Sequence, residues 1–156
     1  QAILTHHHND HISGVADIAQ ENAKIYTVKA HAKVVREASG DKTPELVFVD
    51  KKLRIKTMTT SIDIYDVGPT PHAQHYLLVH LPEHGIMFDA DHFNIPATGP
   101  MPPVTENVKF LVSTIKSLNL KINKIASAHS TRLASFDDLM LSYNTKDRKD
   151  KLTFKF

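Results

Sequence analysis

Cysteine is absent from the 156 residues, and so is any apolar run near the roughly 20 residues that a helix needs to cross a bilayer. Without cysteine the chain forms no disulfide framework and offers no thiolate to a metal ion. No stretch has the pattern of a secretory signal peptide. We therefore expect a soluble protein without membrane contact, and the choice between cytoplasm and periplasm stays open.

The chain also lacks a strong charge of either sign. Its 19 lysines and arginines and 17 acidic residues give a net charge of +2, too small to indicate binding to nucleic acid. Residues 146–155 mix both signs and are expected to form a solvated end. The hydrophobic content of 41% is typical of globular proteins, and the length predicts a single domain over residues 1–156.

Short apolar strands alternate with amphipathic helices along the chain. The pattern predicts strands near residues 2–5, 24–28, 46–49, 53–56, 62–67, 76–81, 86–88 and 122–126. Helices are predicted near residues 14–22, 29–38 and 135–143, and after Thr105, where Val108, Leu111, Ile115 and Leu118 keep helical spacing. Ser13 and Thr105 are the expected N-caps, and Gly40 is the expected stop of the second helix. This order of elements predicts an α/β fold with mixed strand directions.

Histidine is the residue in excess. Of eleven histidines, four lie between His6 and His11 and five between His72 and His92. Where no thiolate is offered, zinc takes imidazole nitrogen and carboxylate oxygen. His6 and His8 are two apart in an extended segment and point to the same side. Asp10 and His11 follow on a turn and can face a second point nearby, so this loop can hold ligands for two neighbouring metal ions.

Further ligands are expected from loops at the ends of later strands, where sites in layered α/β folds gather. The candidates are His72, Asp91 and His129, each of which follows a predicted strand. An expression tag also gives a histidine run, but here Asn9 and Asp10 interrupt it and a helix start follows. A pH-sensing or merely solvated histidine cluster is the other alternative.

Four ordered segments resemble the motifs of the metallo-β-lactamase-fold hydrolase superfamily. Residues 5–14 resemble the hallmark Thr-His-x-His-x-Asp-His-x-x-Gly, and Pro71-His72 with the strand after it resembles the third motif. Residues 87–91 resemble the apolar strand ending in Gly/Ala-Asp, which selects Asp91 over Asp89, and Ala128-His129-Ser130 resembles the last histidine motif. The resemblance covers residues 2 to about 145 and implies an αββα sandwich.

The resemblance also implies a two-metal site. One ion would be held by His6, His8 and His72, the other by Asp10, His11 and His129, with Asp91 bridging them. Two Zn²⁺ ions would activate a bridging hydroxide, with Asp10 orienting the water or shuttling its proton. Iron or manganese could replace zinc. A small-molecule substrate is expected.

Asp91 narrows the implied substrate. True zinc β-lactamases of the superfamily typically have cysteine or serine there, whereas aspartate is typical of thioesterases and lactonases. We therefore expect hydrolysis of an ester, thioester or lactone. Histidine at position 8 argues against the diiron oxygen-reducing branch, which usually has glutamate. A mononuclear-iron sulfur dioxygenase and a non-catalytic metal-binding fragment are the alternatives.

Two further expectations come from the same resemblance. The first motif of the family follows an N-terminal sheet, but here it begins at residue 6, so an N-terminally truncated domain is expected, and a homo-oligomer could supply the missing contacts. Among the remaining histidines, His75 and His92 are candidates to contact substrate. The others are expected to be ordinary surface, helix, strand and turn residues: His7, His31, His80 and His84.

Overall fold

The structure is a computed structural model, and it describes residues 1–145. The predicted solvated end at residues 146–155 lies outside the described residues. The chain forms two compact units, one from Gln1 to Val79 and one from His80 onward. The single domain over residues 1–156 stays a prediction.

The first unit begins with a three-stranded parallel sheet in the order β1-β2-β3. Its strands are β1 (Ala2–Ile3), β2 (Ile25–Thr27) and β3 (Leu46–Phe48). Parallel neighbours require crossover connections, which are usually helical. Helices α1 (Asn9–Ile12) and α2 (Val15–Gln20) connect β1 to β2, and a 3-10 turn (Lys29–His31) followed by α3 (Ala32–Ala38) connects β2 to β3.

Apolar residues from these strands and helices form the core beside this sheet. The buried cluster consists of Leu4, Ile12, Val15, Ile25 and Val35. Leu4 lies directly before the histidine run, and its backbone N–H donates to Tyr26 O at 2.9 Å. The strand end that carries the histidines is therefore fixed by both packing and backbone hydrogen bonding.

A β-hairpin follows in the same unit. Strands β4 (Lys52–Lys56) and β5 (Ser61–Asp66) pair antiparallel, with Leu53 opposite Ile64. Their alternation of apolar and polar residues matches the period of two that the sequence shows. Strand β6 (Leu77–Leu81) comes next to β5 in strand order, and the boundary between the two units falls within it.

The second unit contains strands β7 (Ile86–Phe88), β8 (Lys124–Ala126) and β9 (Ala134–Ser135). Strands β7 and β8 are parallel, so helix α4 (Glu106–Ser117) makes the crossover between them. Strand β9 pairs antiparallel with β8 and leads into α5 (Phe136–Asn144). None of the helices in residues 1–145 combines the length and apolar character that a membrane span requires.

Both long helices of this unit have side-chain caps. The Thr105 hydroxyl accepts from Val108 N, as predicted, and Ser135 forms a capping box with Asp138. Three of the four apolar positions predicted for α4 are buried, but Leu118 is the C-cap residue and is 37% exposed. The α/β prediction is confirmed, with a two-residue strand β9 that the sequence did not predict.

The prediction that Ser13 caps a helix was wrong. Ser13 is the C-cap of α1, and the N-cap of α2 is Gly14, which has no side chain to donate or accept. The segment Asn9–Ile12, predicted as a turn, is itself a short helix. Gly40 follows the C-cap Ser39 with φ +62°, in the left-handed region expected at a helix stop.

Candidate metal centre

The histidine run follows β1 as an extended segment within the first unit. His6 has 0% exposure, and its ring stacks on Tyr76 with centroids 4.9 Å apart. The Thr5 hydroxyl lies 3.2 Å from His6 Nδ1, which orients the opposite nitrogen, Nε2. His6 Nε2 lies 3.2 Å from His8 Nδ1, so these two side chains point to the same place, as their spacing predicted.

His72 reaches the same place from the loop before β6. The Thr70 hydroxyl accepts from the backbone N–H groups of His72, at 3.0 Å, and Ala73, at 2.9 Å. This ST turn fixes the backbone from which the His72 side chain projects. His72 Nε2 lies 3.2 Å from His6 Nε2, although the two residues are 66 positions apart.

The three converging nitrogens fit a metal ion. Donors bound to one zinc at about 2.0–2.1 Å in a tetrahedron lie about 3.3 Å apart. Both measured separations from His6 Nε2 are 3.2 Å, and one ligand atom from each of His6, His8 and His72 lies within 4.8 Å of the others. Three imidazoles without cysteine suit zinc, copper, iron or nickel.

The electrostatics of His6 favour the form that binds a metal. Burial first, and then the nearby rings of His11, His8 and His72, lower the pKa of His6 to about 3. The imidazole is therefore neutral at pH 7, and an unprotonated nitrogen is the form that binds a metal ion.

Asp10 and His11 lie one turn further on, in α1. Asp10 Oδ2 is 3.3 Å from His11 Nε2, and the His11 ring centroid is 4.3 Å from that of His6. The His11 side chain is 11% exposed and that of Asp10 is 55% exposed. The structure thus brings all five candidates of the first unit together around the end of β1, with Asp10 on its open side.

The second unit contains a carboxylate–imidazole pair of its own. Asp91 lies in the loop after β7, and its Oδ1 is 2.8 Å from Nε2 of His129, in the loop after β8. The Asp91 side chain is 6% exposed and that of His129 is 45% exposed. The Ser127 hydroxyl and the Ala128 N–H both donate to Ala90 O, at 2.9 and 3.2 Å, and this joins the two loops.

The neighbouring Asp89 has a different environment. Its Oδ2 accepts from the N–H groups of His92 and Phe93, at 3.0 and 3.1 Å, and its Oδ1 lies 2.7 Å from His92 Nδ1. Asp89 and His92 are both fully buried, so they organise the loop from inside. These hydrogen bonds engage both carboxylate oxygens of Asp89, and they hold the His92 side chain, a candidate substrate contact, inside the unit.

Three other histidines form a second group in the first unit. His31 is 3% exposed, and its ring lies 5.3 Å from that of His7 and 5.8 Å from that of His75, between centroids. Burial, and then His7 and His75, lower the pKa of His31 to about 4. Sequence reasoning treated His31 as an ordinary helix residue and missed this group. The available signal was the density of histidine, since His7 and His75 lie in the two stretches where histidines concentrate.

The remaining histidines have ordinary surroundings. His80 is buried with its Nε2 3.3 Å from Lys121 O, and His84 lies exposed in the turn between β6 and β7. These two placements agree with the predicted strand and turn positions.

Comparison with known proteins gives matches only among solved structures. No protein-family model matches the chain, and no curated protein does. A metallo-β-lactamase from Pontibacter korlensis matches at 16% identity and TM-score 0.67, over 90% of this chain and 66% of that one. The metallo-β-lactamase FIM-1 from Pseudomonas aeruginosa, in its mono-zinc form, matches at 18% identity and TM-score 0.63, over 90% of this chain and 63% of that one.

The chain has the metallo-β-lactamase fold. A flavodiiron protein from Giardia intestinalis also matches, at 18% identity and TM-score 0.68, over 92% of this chain and 40% of that one. The chain thus spans 66% or less of the length of each of these three structures. Because this fold occurs in both hydrolases and a flavodiiron protein, it fixes the architecture but not the reaction.

Proposed function

We propose that this metallo-β-lactamase-fold chain is a zinc-dependent hydrolase of esters, thioesters or lactones. The observation that carries the proposal is the convergence of His6, His8 and His72, whose facing nitrogens have the separation that one tetrahedral zinc ion requires. Two of these residues come from one extended segment and the third from a distant loop.

We assign the ligands by the order of the motifs. His6, His8 and His72 would hold one ion, and Asp10, His11 and His129 the other, with the Asp91 carboxylate shared between them. When bound, the zinc ions would lower the pKa of a coordinated water toward about 7 and polarise the carbonyl oxygen of the substrate. The donor set of imidazoles and carboxylates suits this chemistry.

Side chains of the protein would transfer the proton and keep the metal ligands oriented. Asp10 has the exposed carboxylate of the cluster, so it can meet both water and substrate. Its carboxylate oxygen would accept a proton from the attacking water as the new C–O bond forms. The ester or thioester bond then breaks, and the same proton passes to the departing oxygen or sulfur. Thr5 and Thr70 keep the His6 ring and the His72 backbone oriented throughout.

The residue at position 91 supports the substrate class. Zinc β-lactamases of this superfamily typically have cysteine or serine where this chain has Asp91, and aspartate is typical of thioesterases and lactonases. The Asp91 side chain is almost fully buried against His129, and this burial supports its assignment as a ligand. We therefore place β-lactams outside the substrate range.

The test uses the full chain, stripped of metal and reloaded with Zn²⁺. It is assayed against a thioester, a lactone, a simple ester, a phosphodiester and a β-lactam. We expect zinc-dependent hydrolysis in the first three, lost in His8→Ala and in Asp91→Ala. His84→Ala is the matched control, because it removes an exposed histidine outside the cluster and should leave the rate unchanged.

Three results would contradict the proposal. Hydrolysis that survives complete removal of zinc would show that the metal has no part in the reaction. Oxygen consumption with a thiol or persulfide substrate by the iron-loaded chain, without any hydrolysis by the zinc-loaded chain, would assign the site to sulfur oxidation instead. If zinc binds at His6, His8 and His72 but no substrate is turned over, the chain is a metal-binding module without catalytic activity.

A further inference from the structure

A cavity in the first unit lies beside the second group of histidines. Its volume is about 390 Å³, and it is lined by His7, Ala30, His31, Lys33, Val34, Glu37 and His75. Three of these residues are histidines from three separate segments: the loop after β1, the 3-10 turn before α3 and the loop before β6. Nothing in the proposed hydrolysis uses them.

The central histidine, His31, is held as a metal ligand usually is. Its Nδ1 lies 3.3 Å from the Thr27 hydroxyl, which fixes the plane of the ring and leaves Nε2 on the opposite edge. Nε2 is buried and has no hydrogen-bond partner among the residues that the structure describes. A buried polar nitrogen without a partner is costly, and a hydroxyl that orients the other nitrogen is the arrangement that metal-binding histidines commonly have.

His7 and His75 flank this buried ring. Their centroids lie 5.3 and 5.8 Å from that of His31, whereas those of the three histidines at the metal centre lie 4.6–5.0 Å from one another. Both flanking side chains are exposed, so they can turn about their side-chain bonds within nanoseconds. Binding of one ion by all three residues requires these two rings to rotate so that a nitrogen of each faces His31 Nε2.

The charges at the rim allow a cation to bind. Lys33 and Glu37 both line the cavity, and Lys33 Nζ lies 3.7 Å from Glu37 Oε1. The carboxylate therefore offsets the lysine charge, and it adds an oxygen donor on the same side as the histidines. A net positive rim would instead have favoured an anion.

The two histidine groups adjoin each other at one segment. The His7 ring centroid lies 5.3 Å from that of His8 and 5.3 Å from that of His31. The site at His7, His31 and His75 shares no ligand with the metal centre, because none of these three residues is among the ligands assigned to that centre.

We propose that His7, His31 and His75 form a second, histidine-only site for a late first-row divalent metal ion. Imidazole nitrogen is a preferred donor for zinc, copper and nickel, and three imidazoles leave a fourth position for water or for Glu37. This site does not depend on the proposed hydrolysis, because it has its own ligands and its own cavity.

The experiment counts Zn²⁺ bound per full chain at pH 7, by equilibrium dialysis and by calorimetric titration. We expect the wild-type chain to bind one equivalent more than His31→Ala and one more than His75→Ala. His84→Ala, which removes an exposed histidine elsewhere, should bind as many equivalents as the wild type. Since His31 is buried, its variant can fail to fold, and the exposed His75 then decides the result.

A second measurement identifies the ligands directly. With the metal centre already loaded with zinc, Cu²⁺ is added at one equivalent, and its electron paramagnetic resonance spectrum is recorded. We expect hyperfine splitting from imidazole nitrogens that is lost in His75→Ala and kept in His84→Ala. Equal zinc stoichiometry in wild type and His75→Ala would overturn the proposal, and so would equal losses in His75→Ala and His84→Ala.

Discussion

Loading with zinc should raise the melting temperature of the chain by a calculable amount. The nitrogens of His8 and His72 each lie 3.2 Å from His6 Nε2, close to the spacing on a tetrahedral ion. Binding therefore requires little rearrangement, and nearly all of its free energy stabilises the folded state. At a free Zn²⁺ concentration of 100 times the Kd, one ion contributes about 2.7 kcal/mol. For a protein of this size that corresponds to an increase of about 5–11 °C.

Differential scanning calorimetry on chelator-treated and zinc-loaded protein measures this shift. His8→Ala removes one of the three nitrogens, so its melting temperature should rise with zinc by less than that of the wild type, the difference being the contribution of this ion. His84→Ala should respond as the wild type does, since its side chain is exposed and outside the cluster. The same melting temperature with and without zinc in the wild type would refute the idea that the converging histidines form a metal site.

Three further changes test the parts of the fold that support the site. Asp63→Asn should cost about 1–2 kcal/mol at pH 7, because the buried carboxylate accepts from the Arg54 guanidinium at 2.5 and 2.6 Å. Arg54 holds the pKa of Asp63 well below its usual range, so the wild type should lose stability below about pH 4, and the variant less steeply. Gly85→Ala should lower the free energy of unfolding by about 1 kcal/mol or more. Its φ of +59° lies in the left-handed region, which is unfavourable for an L-residue, and an added Cβ would lie 2.6 Å from Asn123 Nδ2. Ser135→Ala should cost about 1 kcal/mol by removing the capping box of α5.

Urea unfolding at pH 7 and at pH 3 measures all three changes. For Asp63, equal slopes of stability against pH in wild type and variant would contradict the role of the ion pair. For Gly85, an alanine variant as stable as wild type would show that the turn between β6 and β7 tolerates another backbone conformation. Ser135→Asp is the matched variant for the cap, because aspartate can also accept from the backbone, and it should retain most of the stability that alanine loses.

The local signals in the sequence predicted local structure well. The hydroxyl of Thr105 accepts from a backbone N–H three residues away, so the information needed to predict this cap lies within one helical turn. The alternation in β4 and β5 likewise encodes which face is buried. The prediction for Ser13 was wrong because the histidine loop becomes helical at Asn9. Ser13 therefore ends helix α1 and does not begin a helix.

Features that depend on distant pairing could not be predicted in the same way. Strand β9 has two residues, Ala134 and Ser135, and it exists only through its antiparallel pairing with β8. Two residues carry no periodic pattern. Position at a strand end selected His72 as a candidate, but the Thr70 turn that fixes its backbone became visible only in the structure.

The histidine run shows how one short segment can serve two purposes. His6 and His8 converge with His72, and His7 contacts His31, so the composition that first marked the run contains two separate signals. The first signal was predicted because its partners lie at strand ends. The second was missed because its central residue, His31, lies in a 3-10 turn whose only distinction is burial against the Thr27 hydroxyl. A metal count that falls by one in His75→Ala and in His31→Ala, with a separate loss of one ion in His8→Ala, would separate the two signals.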